Sequence, residues 1–267
     1  MASRKEQKEA ARQRRLAEEK ARAEKARRDR RLRMTGGVVL GAVIVVVAAI
    51  AISSKGGGNA TAPKPTSTAA KQSAATVSKL LAGIPQDGTT LGSPSAKVTV
   101  TEYGDLVCPI CKDFALGSEN QLIANDVRSG KVKIVYRALE TASQTANNSM
   151  FVPSQVAARA AGEQKLGWNY IELFYHEQGD ETTSYVSNSY LNGLAGQIPG
   201  LSYSQWTSDR QSSTLASQVS ADETAAQAAG YNSTPTIVIT GPKSQAQPIV
   251  GDPTSYAQLE SAIKSVS

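Results

Sequence analysis

The sequence predicts an α/β domain with an inserted helical subdomain, preceded by a single transmembrane helix. Three observations predict it. Residues 97–139 read as strand, helix, strand in that order, the pattern of a parallel βαβ unit. Most of residues 153–229, before the next strand, read as helix. Residues 36–53, GGVVLGAVIVVVAAIAIS, hold no charged side chain, and as a helix they would reach about 27 Å, close to the thickness of a bilayer's hydrocarbon.

Charge is distributed unevenly ahead of that segment. The net charge is +6, yet residues 1–35 hold 14 Lys/Arg against 6 Asp/Glu, and the remaining 232 residues hold 15 against 17. The basic character therefore belongs to an arm, and no nucleic-acid partner is expected of the folded part. Within residues 4–33, Glu recurs three or four positions from Lys or Arg, which supports a solvated helix, but there is no apolar stripe to bury. Residues 1–35 are therefore expected to be a basic cytoplasmic arm, with anionic lipid headgroups as a secondary partner.

The apolar segment lacks the amphipathic edge of a buried core helix. A cleaved signal peptide is the competing reading, with Ala49, Ile50 and Ala51 as a small-residue cleavage site. A basic region of about 33 residues is long for that purpose. Residues 36–53 are expected to be an uncleaved signal anchor. Arg27, Arg28, Arg30, Arg31 and Arg33 hold the N-terminus in the cytoplasm and send the rest across the cell membrane. Residues 54–76, rich in Gly, Pro, Ser, Thr and Ala, are expected to be a flexible linker, with the folded domain over 77–267.

In that domain, residues 84–91 (IPQDGTTL) suggest a short hairpin or edge piece with an Asp-Gly turn. Residues 97–103 (KVTVTEY) alternate as a strand, 108–127 form a helix, and 131–139 (KVKIVYRAL) form the next strand. The helical insertion is expected at about 150–229, with Trp168, Phe174 and Tyr175 in its core and Gly230 as its stop. A strand over 235–240, a short partner near 247–250 and a closing helix over 253–266 complete the reading. There is no internal repeat.

Cys108 and Cys111, in EYGDLVCPICKDF, are the only cysteines. As a staple they close a loop of four residues, worth about 2 kcal/mol against about 4.7 for a 100-residue loop. As a metal site they lack ligands, since one histidine, His176, and no second CxxC are present. The reactive reading fits better. Cys108 falls between a strand and a helix, with Pro109 suited to the first helical position. The free N–H groups of Ile110 and Cys111, together with the helix dipole, would stabilise a Cys108 thiolate. Cys111, one turn further on, could then resolve a mixed disulfide. No cofactor is required.

Three stretches, GIPQDGTTLGSPSAKVTVTEYGDLVCPIC, AARAAGEQKLGWNYIELFYHEQ and AAQAAGYNSTPTIVI, resemble the DsbA-type branch of the thioredoxin-like oxidoreductases. The resemblance implies a thioredoxin fold with a helical insertion, and exchange of disulfides with protein thiols. It implies that Cys108 is the nucleophile, Cys111 the resolving cysteine, and Pro235 a cis-proline facing them, with Thr234 offering its backbone to a substrate. Glu102 takes the place of a buried acid under the active site that can accept the resolving thiol's proton, against a surface Glu as the plain alternative. Asp105 is either a catalytic acid or a loop cap, and His176 is read as a packing or surface residue.

Pro109 and Ile110 tune the pair. Ile110 replaces the histidine of the strongest oxidants, and Thr before the cis-proline is common in isomerase and reductase relatives. The expected partners are cysteine-containing secreted proteins and a membrane redox partner, and a monomer is expected. The competing functions are a reductase or isomerase of the same fold, and a tethered binding or chaperone domain whose disulfide is incidental.

Overall fold

The computed structural model describes residues 67–146, 150–243, 249–250 and 255–267. The expected arm (1–35), span (36–53) and most of the linker lie outside the described residues. Among the described residues, no helix is long and apolar enough to cross a membrane.

The first described element corrects the linker boundary. Helix α1, Thr68–Leu81, begins inside the stretch read as a tether. Ser67 caps it, accepting from the Ala70 N–H at 3.1 Å. Its Ala, Lys and Gln residues are good helix formers but carry little apolar surface. Ala70, Val77 and Leu81 fall on one face and are buried. Docking of that face, rather than composition, makes the segment a helix.

Among the described residues the sheet has six strands: β1 (Gln86–Asp87), β2 (Thr90–Leu91), β3 (Val98–Gly104), β4 (Val132–Ala138), β5 (Thr236–Thr240) and β6 (Ile249–Val250), in the order β1-β2-β4-β3-β5-β6. β3 and β4 run parallel, as the βαβ reading expects, and every other pairing is antiparallel. In both β3 and β4, buried positions alternate with half-buried ones, so each strand is sealed on one face. That alternation turns Val98, Val100, Glu102 and Gly104 inward together.

The helix between β3 and β4 is less regular than expected. It runs as α2 (Pro109–Phe114), a π-helical turn (Ala115–Glu119), α3 (Asn120–Leu122) and a second π-helical turn (Ile123–Val127). The insertion contains α4 (Phe151–Gly162), α5 (Gly167–His176), α6 (Asn188–Ala195), α7 (Tyr203–Asp209) and α8 (Ser213–Ala228). Trp168, Phe174 and Tyr175 are fully buried there, and Gly230 follows α8 at φ 77°, where a Cβ would be unfavourable. Helix α9 (Tyr256–Val266) closes the chain with a capping box between Ser255 and Gln258.

Hydrogen bonds tie the insertion to the sheet on both sides. On one side, the Gln86 amide donates to Asn169 and accepts from the Trp168 N–H, while the Trp168 indole donates to the Thr89 carbonyl. On the other, the buried Asp222 of α8 accepts from Arg137 and Ala138 of β4 and from Arg159 of α4.

Candidate active site

β3 ends at Gly104, and the chain turns through Asp105 into α2. The turn is held by the Asp105 carboxylate, which is fully buried and accepts four hydrogen bonds. They come from the Val107 N–H at 3.0 Å, Thr141 N–H at 3.1 Å, Ser143 N–H at 2.9 Å and Ser143 hydroxyl at 2.8 Å. Asp105 is therefore the loop cap of the two readings. It binds the segment before Cys108 to the segment after β4.

Cys108 is the N-cap of α2 and Pro109 its first residue, as expected. The Cys108 sulfur lies 3.7 Å from the Thr234 carbonyl oxygen, and the Thr234–Pro235 peptide is cis. Cys108, Cys111, Thr234 and Pro235, which span 128 positions of sequence, thus meet at one end of the sheet. The Thr234 hydroxyl pairs at 2.5 Å with that of Thr141. Pro109 is exposed and Ile110 half-buried, so the rim on the helix side is apolar. Gln178, just past α5, donates to the carbonyls of Leu106 at 2.8 Å and Cys108 at 3.0 Å. The insertion therefore also holds the cysteine turn in place.

The two thiols are unbonded and have opposite acidities. Cys108 is lowered from 9.0 to about 6. The largest cause is a hydrogen bond from the Cys111 thiol. Burial opposes the shift, and contributions from Thr234 and the backbone N–H groups of Cys111 and Ile110 assist it. The cap geometry makes no ordinary side-chain hydrogen bond to the helix, so the helix N-terminus helps but is not the chief cause. Cys111 has no exposed surface and is raised well above 9.0, first by burial and then by its neighbour. One cysteine thus favours the thiolate and the other the thiol, the division an attacking and a resolving residue require.

Glu102 lies beneath the pair. It faces inward and has no exposed surface, and burial chiefly pushes its carboxyl up to about 7. The surface alternative is excluded. Its charge acts on Cys111, so its proton and that of the resolving thiol are energetically linked. His176, at the end of α5, is half-buried. Burial, followed by the charge of Lys112, lowers its pKa, and it does not figure among the groups acting on either thiol. Among the described residues, no cluster of His, Cys, Asp or Glu is arranged to hold a metal.

The sequence reading missed Glu119, Glu172 and Tyr136 and took Tyr175 as helical core alone, although all four are buried around Glu102; it also missed the positioning pair Thr141 and Gln178. Two of these had a signal. Glu119 lies eight positions after Cys111, on the same helical face, and Glu172 is a charge within the apolar run GWNYIELFY.

The thioredoxin family model matches residues 85–265. The disulfide bond formation protein D of Bacillus subtilis is 28% identical over 156 residues. The match covers 56% of this chain and 66% of that protein, a little under two thirds of its length. A probable disulfide bond formation protein D of Bacillus anthracis is 23% identical over 159 residues, with 57% and 69% covered. Among solved structures, oxidised BdbD from Bacillus subtilis superimposes with a TM-score of 0.57 at 21% identity, covering 78% of this chain and 98% of that one. DsbA2 of Pseudomonas aeruginosa gives 0.52 at 20%, covering 69% and 97%. At these identities the structural likeness speaks for the fold.

Proposed function

The chain belongs to the thioredoxin family, and from that premise we propose that it is a protein-disulfide oxidoreductase that donates the Cys108–Cys111 disulfide to reduced protein thiols. The observation that carries the reading is the opposed acidity of the two thiols, about 6 for Cys108 and well above 9.0 for Cys111, at the mouth formed with Thr234 and Pro235. A redox pair whose outer sulfur is a stable thiolate gives up its disulfide readily, because that sulfur is a good leaving group.

The reaction begins with a client thiolate attacking Cys108 of the disulfide. A client–Cys108 bond forms, the Cys108–Cys111 bond breaks, and Cys111 leaves with the electron pair. Its raised pKa means that it takes a proton, and Glu102 is the carboxyl placed to supply one. A second client thiolate then attacks the client sulfur of the mixed disulfide, releasing Cys108 as a thiolate. The client is oxidised by two electrons and the pair is reduced by two. Thr234 offers its backbone beside the reacting sulfur, and the Pro109–Ile110 rim receives apolar client side chains.

The same proposal places residues 36–53 in the cell membrane as an uncleaved anchor, residues 1–35 in the cytoplasm and the folded domain outside. The clients are cysteine-containing secreted proteins, and a membrane redox partner, such as a quinone-linked one, reoxidises the pair. The arrangement of charge and hydropathy supports this orientation. Protease added to intact cells should remove the folded domain and spare the arm, and a protected domain would reverse the topology.

The apolar Ile110 and the threonine before Pro235 favour a second reading, a reductase or isomerase kept reduced by a membrane donor. The reduction potential separates the two. In glutathione buffers, followed by thiol-labelling gel shift on the full chain, the oxidase reading expects a value toward about −120 mV. A value near about −270 mV would install the reductase instead. Cys108→Ser should bring turnover to background. Retained function in that variant would point to a binding or chaperone domain.

A further inference from the structure

Glu102 is not alone beneath the cysteines. Glu119, at the end of the first π-helical turn, and Glu172, on α5, are also without exposed surface. Among the described residues, none of the six carboxyl oxygens meets a hydrogen-bond donor elsewhere in the fold. Glu102 and Glu119 lie close enough to hydrogen-bond each other, which requires a proton between them. Glu172 acts on Glu119 and is itself acted on by Glu102, so the three form one group.

The surroundings are acidic or neutral on every side. β3 contributes Glu102, and α2 contributes Cys111 with Cys108 at its cap. β4 contributes the Tyr136 hydroxyl, which accepts from Gln155, and α5 contributes Glu172 and the Tyr175 hydroxyl. The Tyr175 hydroxyl is a second, separate observation. It is fully buried without a partner, and Glu102, Glu119 and Cys111 all act on it. Gly104 leaves room for the group, since a Cβ there would lie 3.1 Å from the nearer Glu102 oxygen and 3.2 Å from the Tyr136 hydroxyl. Among the described residues, no lysine, arginine or histidine figures among the groups acting on the three carboxyls. Three buried carboxylates without a cation would be prohibitively costly, so the group must hold protons.

We propose that Glu119 and Glu172 join Glu102 in a buried carboxylic-acid store that exchanges a proton with Cys111 each time the cysteine pair is oxidised or reduced, and that refills from solvent between the two steps. The inference rests on the thiol–disulfide exchange proposed above. On reoxidation, Cys111 gives its proton to the store as its sulfur bonds to Cys108 and the partner's sulfur departs with the electron pair. On client oxidation, the store returns the proton to the leaving Cys111 thiolate. Glu119 and Glu172 touch neither client nor reacting sulfur. They are positioning residues that let Glu102 accept and release a proton near neutral pH without a lone buried charge being formed.

The store also couples redox state to proton content. The reduced pair carries the Cys108 thiolate, whose charge raises the affinity of Glu102 for its proton, whereas the disulfide is neutral. Burial has already moved Glu102 to about 7 and Glu172 to about 8, so these two members of the group lie in the physiological range. Above about pH 7, where Cys108 is mostly a thiolate, reduction of an isolated pair would take up one proton. Its equilibrium constant would then change tenfold per pH unit, or 29.6 mV. Once the group has regained from solvent the proton passed to Cys111, Glu102 is more fully protonated in the reduced state than in the oxidised one, which adds to this uptake.

The test is the reduction potential of the full chain against pH between 5 and 9, in glutathione buffers, for the wild type and for Glu119→Gln/Glu172→Gln. The wild type is expected to change more than tenfold per unit between pH 7 and 9, and the double variant, which keeps Glu102, to change less steeply than the wild type. A wild-type slope of tenfold between pH 7 and 9, or a slope the double variant leaves unchanged, overturns the store. Should the double variant not fold, infrared difference spectra of the wild type, oxidised minus reduced, decide the matter. A change in the protonated-carboxyl band is expected, and a silent band overturns the proposal. A pair that never equilibrates with glutathione would instead refute the exchange reading itself.

Discussion

Asp105 shows how one side chain shapes the site without touching a reacting atom. All four of its partners donate, two to each oxygen, so a side chain with two acceptor oxygens satisfies them and an amide cannot. Asp105→Asn must turn an N–H₂ toward at least one backbone N–H, and it should lose about 2–3 kcal/mol of stability in denaturant melts. From the anchored loop, the Thr141 hydroxyl reaches that of Thr234, whose carbonyl faces Cys108. Thr141→Val should therefore cost about 1 kcal/mol and raise the KM for a client peptide, while Thr141→Ser should restore both. A KM that Thr141→Val leaves unchanged would show the hydroxyl pair to be uninvolved in client binding.

The chemistry was readable at this scale where it depends on local order. CPIC after a strand already names an N-cap thiol and a proline at the first helical position. The Thr141–Thr234 contact joins residues 93 apart and follows from how the loops pack, which no local pattern encodes.

At the scale of elements, alternation carried most of the fold. β3 and β4 were legible because each has one sealed face, and the burial of Glu102, which alternation alone left open against a surface Glu, follows from its sharing the parity of Val98 and Val100. Helix α1 was not legible, since its nine residues 68–76 look like linker and become helical through docking. The π-helical turns were also hidden, because their i→i+5 bonds leave no composition signal. They matter to the site, since the first of them ends on Glu119.

The β1–β2 hairpin is a further element whose role depends on contact. The backbone at Gly88 lies against the α4–α5 junction. A Cβ on Gly162 would come within 2.7 Å of the Gly88 carbonyl oxygen, and one on Gly167 closer still. Both obstacles are backbone, which cannot rotate aside. Gly162→Ala should destabilise the protein by about 1–3 kcal/mol in thermal or chemical melts and leave the reduction potential unchanged. A shift in potential would mean that the hairpin positions the cysteines as well as the insertion.

For the molecule as a whole, the buried acids and the two thiols make stability depend on pH differently in the two redox states. Glu102, Glu119 and Glu172 all have folded pKa values above the ordinary carboxyl range, chiefly through burial. Their contribution is therefore complete below about pH 4.3, where the unfolded chain is protonated too. It is lost as pH rises through the folded values of about 7 and about 8. Each group adds a slope of up to about 1.4 kcal/mol per unit in that window.

Cys108 has the opposite sign. Its folded pKa is depressed to about 6, so its contribution is present above the unfolded value of 9.0 and is lost as pH falls through about 6. It exists only in the reduced protein. Cys111, raised well above 9.0, stays protonated across this range and adds no slope. Thermal melts of the oxidised chain should therefore show Tm falling steadily from pH 5 to pH 8. The reduced chain should fall less steeply above pH 6, so that the Tm of the reduced chain gains on that of the oxidised chain as pH rises. Parallel curves for the two states would mean that the Cys108 thiolate is not stabilised by the fold, and the reading of Cys108 as a good leaving group would fall with it.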